Sequence, residues 1–515
     1  MSYKKGYRFT NRYLITGLLT VDTPLHIGSG DTTAHPELKA DDKFIDIAAV
    51  AKDVRKKPYI PASTFKGNLR AWLATRVKDK SLLEKVFGGY HTEKNAEGGK
   101  AEFSESYLAE ELPESDFPYW IYERQTGVQV GVTIDRRKRT AREERLFYWE
   151  VVPPKVTFEV RITGQDLQDN ELALLLGALE GFNNLKTPIT LGSETAQNQG
   201  KMRWHSFKIQ CLDAAQTIVW LNKPDDERNM WFEDLPSIDE AKFIKQSQQL
   251  VYEQSTRPTL RLHLQLQFDS PFLVNEPSKI KKGKKAKGEP DFQPRHDANG
   301  KPLLPAKSFR GAIRSQAERI IRTLKGKACL IDDEKLACDP IEKYEEVEEN
   351  LCLACQLFGT GGWQTPIRIS DFTLVHSQGE FDQDFVAIDR FTGGSCEHAK
   401  FKAKAVYAPL LEGTWEIDLQ RINPWGLGLL ALVIRDLMEG DVTFGYGAAK
   451  GYGHCYAKLQ NWSVNALPNA KDYPAWKEFT LNPEILQECH DNKTVLSDQK
   501  HLINCFVNKF QDKCQ

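Results

Sequence analysis

The chain reads as an α+β protein made of two tandem copies of one β-α-β-β-α-β unit, the ferredoxin-like order. Three observations predict this. The stretch Pro61-Ala-Ser-Thr-Phe65-Lys66-Gly67-Asn-Leu-Arg70 recurs as Pro305-Ala-Lys307-Ser-Phe309-Arg310-Gly311-Ala-Ile-Arg314, 244 residues later. Other landmarks recur in the same order, with only loop-sized changes of spacing. Within each copy the apolar pattern switches between the period of a strand and that of a helix.

Length and composition agree with this. A chain of 515 residues exceeds one ordinary domain, and 40% hydrophobic with 27% charged residues marks a soluble, core-forming protein. No apolar run reaches the ~18–20 residues of a membrane span. The start, Met1-Ser-Tyr-Lys-Lys-Gly6, lacks the apolar centre of a signal peptide, so the expected compartment is the cytoplasm. A net charge of -2 excludes a uniformly basic nucleic-acid binder. The basic runs are local, at Lys279–Lys287 and Arg136–Arg139, which suits a polyanion met along one face.

In order, Tyr13–Val21 and Leu260–Phe268 alternate as half-buried strands, followed by the turns Asp22-Thr-Pro-Leu25 and Asp269-Ser-Pro-Phe272. Polar loops, residues 28–57 and 275–301, lead to the repeated Pro-Ala motif. The helix that follows carries Phe65, Leu69 and Leu73 on one face, and its copy carries Phe309, Ile313 and Ala317. Ser63 or Thr64, and Ser308, are the expected caps. Lys66 and Arg70, like Arg310 and Arg314, lie one turn apart beside the helix start, where free N–H groups and the dipole favour a phosphate.

Phe87-Gly88 and Phe358-Gly359 end the helical region, and the second copy holds about 27 additional residues before that point. Ile134-Asp135-Arg136 matches Ile388-Asp389-Arg390, and strand-rich tracts and a second helix follow in each copy. Each copy closes on a glycine turn, Gly192–Gly200 and Gly445–Gly453. The expected domains are residues 1–212 and 257–460, with a connector at 213–256. A tail, 461–515, has no counterpart at the end of the first copy.

The added segment, about 325–356, holds Cys329-x8-Cys338-x13-Cys352-x2-Cys355. Ten cysteines in a chain without an export signal argue against a disulfide framework. Four at this spacing form the ligand count of a closed, structural zinc site, with Cys338 the weakest member. Neither glycine turn meets a nucleotide-cofactor fingerprint. Carboxylates stand out instead. Asp53 and Asp297 correspond at the 244-residue spacing, and Asp46 and Asp291 correspond within one residue. A loop aspartate near a phosphate-gripping helix can orient a ribose 2′-hydroxyl or hold a divalent metal, although a loop aspartate is more often a turn residue.

These motifs resemble the RAMP superfamily of CRISPR-associated proteins. The carriers are Leu25-His-Ile-Gly-Ser-Gly30, Ile60-Pro-Ala-Ser-Thr-Phe-Lys-Gly67 with Arg70 and its copy, the two Phe-Gly pairs, the two Ile-Asp-Arg triplets and the closing glycine turns. The resemblance covers residues 10–210 and 257–460. It is nearest to fused backbone subunits of type III-D-like effector complexes. It implies RRM-like palms, thumb hairpins inserted between guide and target RNA, and cleavage of target RNA by 2′-hydroxyl attack with a divalent metal, magnesium or manganese. It implies as partners a CRISPR guide RNA, a complementary target RNA, other RAMP subunits and a large polymerase-like subunit.

Carried over residue by residue, the resemblance makes Asp46 and Asp291 catalytic. It makes Ser63, Lys66, Arg70, Arg136, Lys307, Arg310, Arg314 and Arg390 RNA-binding. Asp291 follows Pro290 rather than an aliphatic residue, and Leu273-Val-Asn-Glu-Pro277 replaces the His-Ile-Gly-Ser-Gly turn, so the second loop departs from the pattern. Three other functions compete with this reading. One is a non-catalytic guide-binding subunit. The second is a guide-processing endonuclease, for which His26 is the natural acid-base. The third is a zinc-bearing scaffold that binds no RNA.

Overall fold

The computed structural model describes residues 9–40, 43–90, 96–135, 141–228, 237–253, 255–276, 290–297, 299–329, 337–338, 347–465 and 497–515. Two compact units emerge. The first holds residues 1–129, 148–195 and 199–256; the second holds 130–147, 196–198 and 257–515. The Arg136–Arg139 and Lys279–Lys287 runs lie outside the described residues. Among the described residues, no helix is long and apolar enough to cross a membrane.

The first unit is built on β1 (Asn11–Val21) and carries β2 (Gly28–Ala40), β3 (Lys43–Val50), α1 (Ala62–Ala74), α2 (Lys80–Phe87) and β4 (Ala101–Phe103). There follow in the first copy β5 (Gly127–Ile134) and β6 (Ala141–Val151), whose residues 130–147 belong to the second unit, then β7 (Thr157–Gln165), α3 (Asp169–Leu179), β8 (Met202–Asp213), α4 (Ala214–Leu221) and α5 (Glu240–Leu250). Its main sheet runs β8-β1-β7-β4, antiparallel throughout. Alternate residues of β1, among them Tyr13, Ile15, Leu19 and Val21, enter the core, where Phe65, Leu69 and Leu73 of α1 meet them at 0% exposure. Truncating such a side chain to alanine costs about 2–5 kcal/mol.

The second unit repeats this order. It contains β9 (Thr259–Phe268), α6 (Ala306–Thr323), α7 (Leu353–Phe358), β10 (Phe372–His376), β11 (Glu380–Ile388), β12 (Ser395–Tyr407) and β13 (Leu410–Asp418). It ends with α8 (Pro424–Met438), β14 (Cys455–Val464) and α9 (Ser497–Cys514). Its sheet runs β14-β9-β13-β10, and Ile367–Ile369 also pairs β13, in the place that β4 holds on β7. Even an irregularity recurs. The pairing of the first and last strands shifts after Thr16 in one copy and after His263 in the other. Phe309, Ile313 and Ala317 of α6 are fully buried.

The closing turns are duplicates in detail. Ser193 N–H donates to the His26 carbonyl at 2.8 Å and Tyr446 N–H to the Leu273 carbonyl at 2.7 Å. Gly200 N–H reaches the Pro24 carbonyl at 3.0 Å and Gly453 N–H reaches Pro271 at 2.8 Å. Gly192 and Gly445, at φ 82° and 85°, press directly on those carbonyl-bearing residues, and a side chain there would collide with them. The turn seals the end of the first strand in each copy.

The C-terminal tail does have a counterpart. Helix α9 packs along α8, and α5, in the connector, packs along α3 in the same way. Each contact passes over a glycine: Gly428 against the Phe506 carbonyl, Gly177 against Ser247. A covering helix therefore closes each copy, which corrects the expectation of an unmatched tail.

Candidate nucleic-acid interface and metal centre

Helices α1 and α6 start alike. Pro61 and Pro305 hold extended backbone at the N-cap, and their carbonyls accept from Phe65 and Phe309 N–H, each at 3.0 Å. No side chain of Ser63, Thr64 or Ser308 caps the helix; these residues lie within the first turn. The cap comes from a distant strand. Glu105 accepts from Ala62 N–H at 2.8 Å, and Asp371 accepts from Ala306 N–H at 2.8 Å. The preceding residues match too: Ser104 N–H donates to the Arg161 carbonyl at 3.1 Å and Ser370 N–H to Thr414 at 3.0 Å. A carboxylate on the positive end of a helix stabilises it by about 0.3–1 kcal/mol. The first amide of each helix is thus occupied by the chain's own anion, which corrects the reading of that end as open to phosphate. Sequence reasoning missed this pair, although Ser104-Glu105 and Ser370-Asp371 are a legible match.

The basic side chains divide. On α1, Ser63 and Arg70 are exposed and Lys66 is half-buried. Among the described residues, nothing lies within 4 Å of the position a Cβ would take at Gly67 or Gly311. Lys307 is half-buried, with its ammonium 4.7 Å from the ring centre of Phe147, a residue of the same unit. Arg390 is exposed beside a turn in which Asp389 accepts from Phe391 and Thr392 N–H. Arg136 lies outside the described residues.

Arg310 and Arg314 turn inward, contrary to a surface grip. Arg310 donates to the Phe358 carbonyl. Arg314 is 7% exposed and donates to Glu318 at 3.1 Å, the Gly359 carbonyl at 3.0 Å and Cys355 Sγ at 3.2 Å. Both serve the carbonyl end of α7, where cations are favoured. Burial pulls the Arg314 pKa down, but the charges of Cys355 and Glu318 more than offset this and hold it above its ordinary value.

The aspartates also divide. Asp53 accepts from Arg55 and Lys57 N–H, both at 2.9 Å; Asp297 accepts from Asn299 and Lys301 N–H, both at 2.9 Å. These are one turn, present twice. Desolvation works to raise the Asp53 pKa, yet the hydrogen bonds from Lys57 and Arg55 hold it below the usual carboxylate range. The backbone beyond the turn keeps the 244-residue register: Ala51 N–H to the Ile27 carbonyl at 2.7 Å matches Arg295 N–H to Val274 at 2.8 Å. Ala48 bridges Trp149 in parallel as Phe292 bridges Ala403.

That register moves one assignment by a residue. Pro290, not Asp291, occupies the place of Asp46, and Asp291 stands where Ile47 stands. A one-residue shift in a strand sends the side chain to the opposite face. Asp46 lies on β3 opposite Ala34 with its side chain exposed. Asp291 instead exchanges hydrogen bonds with Lys402, its N–H to the carbonyl at 2.7 Å and its carboxylate from the N–H at 2.7 Å.

Cys329, Cys338, Cys352 and Cys355 bring their sulfurs within 4.8 Å of one another. Cys329 and Cys355 Sγ are 3.4 Å apart, and Cys352 caps α7 by accepting from Cys355 N–H. Four sulfurs around one tetrahedral ion at ~2.3 Å would stand about 3.8 Å apart, so this donor set fits zinc. Hydrogen bonds from the Cys329 and Cys355 thiols hold Cys352 well below the usual thiol range. Hydrogen bonding to Cys329 first and to Cys352 next, together with burial, pushes Cys355 up. Burial raises Cys338 to about 11.

His26 is buried, with Nδ1 2.6 Å from the Glu150 carbonyl. It is a structural residue of the closing-turn seal, not an exposed acid-base. A further buried group, missed in the sequence, is His35 on β2. Its Nδ1 accepts from Glu37 and Leu38 N–H, and Tyr119 and Tyr148 enclose its ring. Burial lowers its pKa to about 4.

The family model described as RAMPs, RAMP superfamily, matches residues 18–197 and 265–456, one segment in each copy. The chain is also similar to a protein named CRISPR system Cms endoribonuclease Csm3 from Methanocaldococcus jannaschii. The two are 23% identical over 217 residues, 39% of this chain and 81% of that protein.

Proposed function

This chain belongs to the RAMP superfamily, and on that premise we propose that it is a two-domain backbone subunit of a type III CRISPR complex. It binds guide RNA and cuts complementary target RNA. Each unit is the ferredoxin-like palm of such a subunit, a reading supported by the equivalent strand order of the two sheets. The similarity to a named CRISPR endoribonuclease supports the activity.

The observation that carries the RNA-binding reading is the pair Gly67 and Gly311. A glycine inside a helix costs about 1 kcal/mol relative to alanine. Among the described residues, nothing packs where the missing side chains would be. Close approach of a sugar-phosphate backbone explains both glycines. In the first unit Lys66 and Arg70 flank that approach; in the second it falls to Lys307, because Arg310 and Arg314 serve the cysteine cluster.

Asp46 is the catalytic candidate. Its exposed carboxylate takes the proton of a ribose 2′-hydroxyl as that oxygen attacks the adjacent phosphorus. The bond to the 5′ oxygen breaks, and the leaving oxygen takes a proton from water. When bound, a divalent ion, magnesium or manganese, would supply charge neutralisation for this reaction. Asp291, turned to the Lys402 backbone, favours a second reading for the second unit alone: binding without cutting. Zinc is assigned to Cys329, Cys338, Cys352 and Cys355 as a closed structural ion. The test is the RNA content of the purified protein, followed by incubation of the guide-loaded complex with labelled target. Absence of bound RNA sinks the reading.

A further inference from the structure

The hairpin β11–β12 has two unlike faces. On one, Asp382 pairs with Lys402, Asp384 with Lys400 and Glu380 with Lys404 in a ladder of surface ion pairs. On the other, Phe385 stands directly across from Phe401, their rings stacked at 4.9 Å. The closing turn brings Tyr446 and Lys450 against these rings. The Lys450 ammonium lies 4.7 Å from the Phe401 centroid, 4.8 Å from Tyr446 and 5.4 Å from Phe385, and donates to the Tyr446 hydroxyl at 2.9 Å. Phe292, the residue after Asp291, stacks on Tyr446 at 4.7 Å. The rings are half-buried and Lys450 is exposed.

Among the described residues the first copy lacks this set. At the matching positions of its closing turn stand Ser193 and Gln197, Gly131 replaces Phe385, and of the rings only Phe147 answers, in the place of Phe401. The aromatic set is therefore not part of the sealing role that both turns share. An exposed ammonium over aromatic faces gains only about 0.5–1 kcal/mol, so it is displaced cheaply. Half-exposed π-faces beside a displaceable cation are the pairing that single-stranded nucleic acid uses, a base on the ring and a phosphate on the lysine.

We propose that Phe385, Phe401 and Tyr446 form a nucleobase-stacking site of the second unit, with Lys450 swinging from the rings to the phosphate of the stacked nucleotide. The inference rests on the RNA-binding reading above and specifies its second site.

The experiment places 2-aminopurine at successive positions of the guide, and separately of the target, in the full-length protein's RNA complex. Stacking quenches its fluorescence. One position in one of the two strands is expected to be quenched, and Phe385→Leu with Phe401→Leu is expected to restore the signal and weaken binding about tenfold. Lys450→Gln, a surface change, is expected to leave the quenching and reduce the slope of log affinity against log salt by about 0.7. If the wild-type protein binds no RNA, the functional proposal has failed. If it binds RNA but the phenylalanine variants keep the quenching pattern and affinity, or Lys450→Gln leaves the slope unchanged, this site is wrong.

Discussion

Asp291 and Lys402 exchange two hydrogen bonds, each 2.7 Å long, one backbone to backbone and one from the Lys402 N–H to the carboxylate. The carboxylate is thereby part of the scaffold that docks the loop on β12. Asp291→Ala is expected to lower stability by about 1–2 kcal/mol, read as a shift in denaturant midpoint. It should leave target cleavage intact, and loss of product bands with unchanged stability would refute this assignment.

Arg314 ties the first helix of the second unit to the cysteine cluster through Cys355 Sγ, with Glu318, 0% exposed, behind it. Removing one member of a buried charge pair costs about 3–5 kcal/mol. Arg314→Met is therefore expected to destabilise the chain by that order and to release zinc to a chelator faster. The wild-type protein should hold about one zinc per chain by elemental analysis. Cys352→Ser should lose it.

His35 makes acid stability a property of the first unit. Its folded pKa is about 4 against an ordinary 6.5, so folding favours the neutral ring. The unfolded chain binds the extra proton between those values, and stability falls as pH drops from about 6.5 to 4. The loss, up to about 3 kcal/mol, is complete below the folded pKa. Melting temperatures at pH 7 and 4.5 should converge in His35→Asn relative to wild type.

Gly428 lies under the Phe506 carbonyl, where no side chain fits. Gly428→Ala is expected to lift α9 and expose it to limited proteolysis, with new cleavage after residues near Phe506. A helix that stays protected would mean α9 is held by other contacts.

Much of this was legible because proline and glycine record backbone geometry directly. Pro61, Pro305, Gly192 and Gly445 occupy positions that only their backbones suit, so the repeat survives in the sequence. The apolar faces of α1 and α6 were legible for the same kind of reason, a fixed helical period. The carboxylate caps were not, since Glu105 and Asp371 act on helices about 40 and 65 residues away. The covering helices escaped notice because Gly428 and Gly177 carry no periodic signal. The one-residue offset of Asp291 from Asp46 stands in the spacing, but the spacing does not say that this segment is a strand, in which one residue changes the face. Only the duplicated Asp53 and Asp297 turns settle it.

Cutting of RNA by the first unit through Asp46 is open to a direct test. The most direct measurement is the product ladder of guide-loaded complex containing Asp46→Ala, run beside wild type and Asp291→Ala. Asp46→Ala is expected to slow cutting at the first unit's position by about 10²–10⁴-fold with RNA affinity preserved, while Asp291→Ala keeps every band. A wild-type ladder from the Asp46→Ala complex would contradict it.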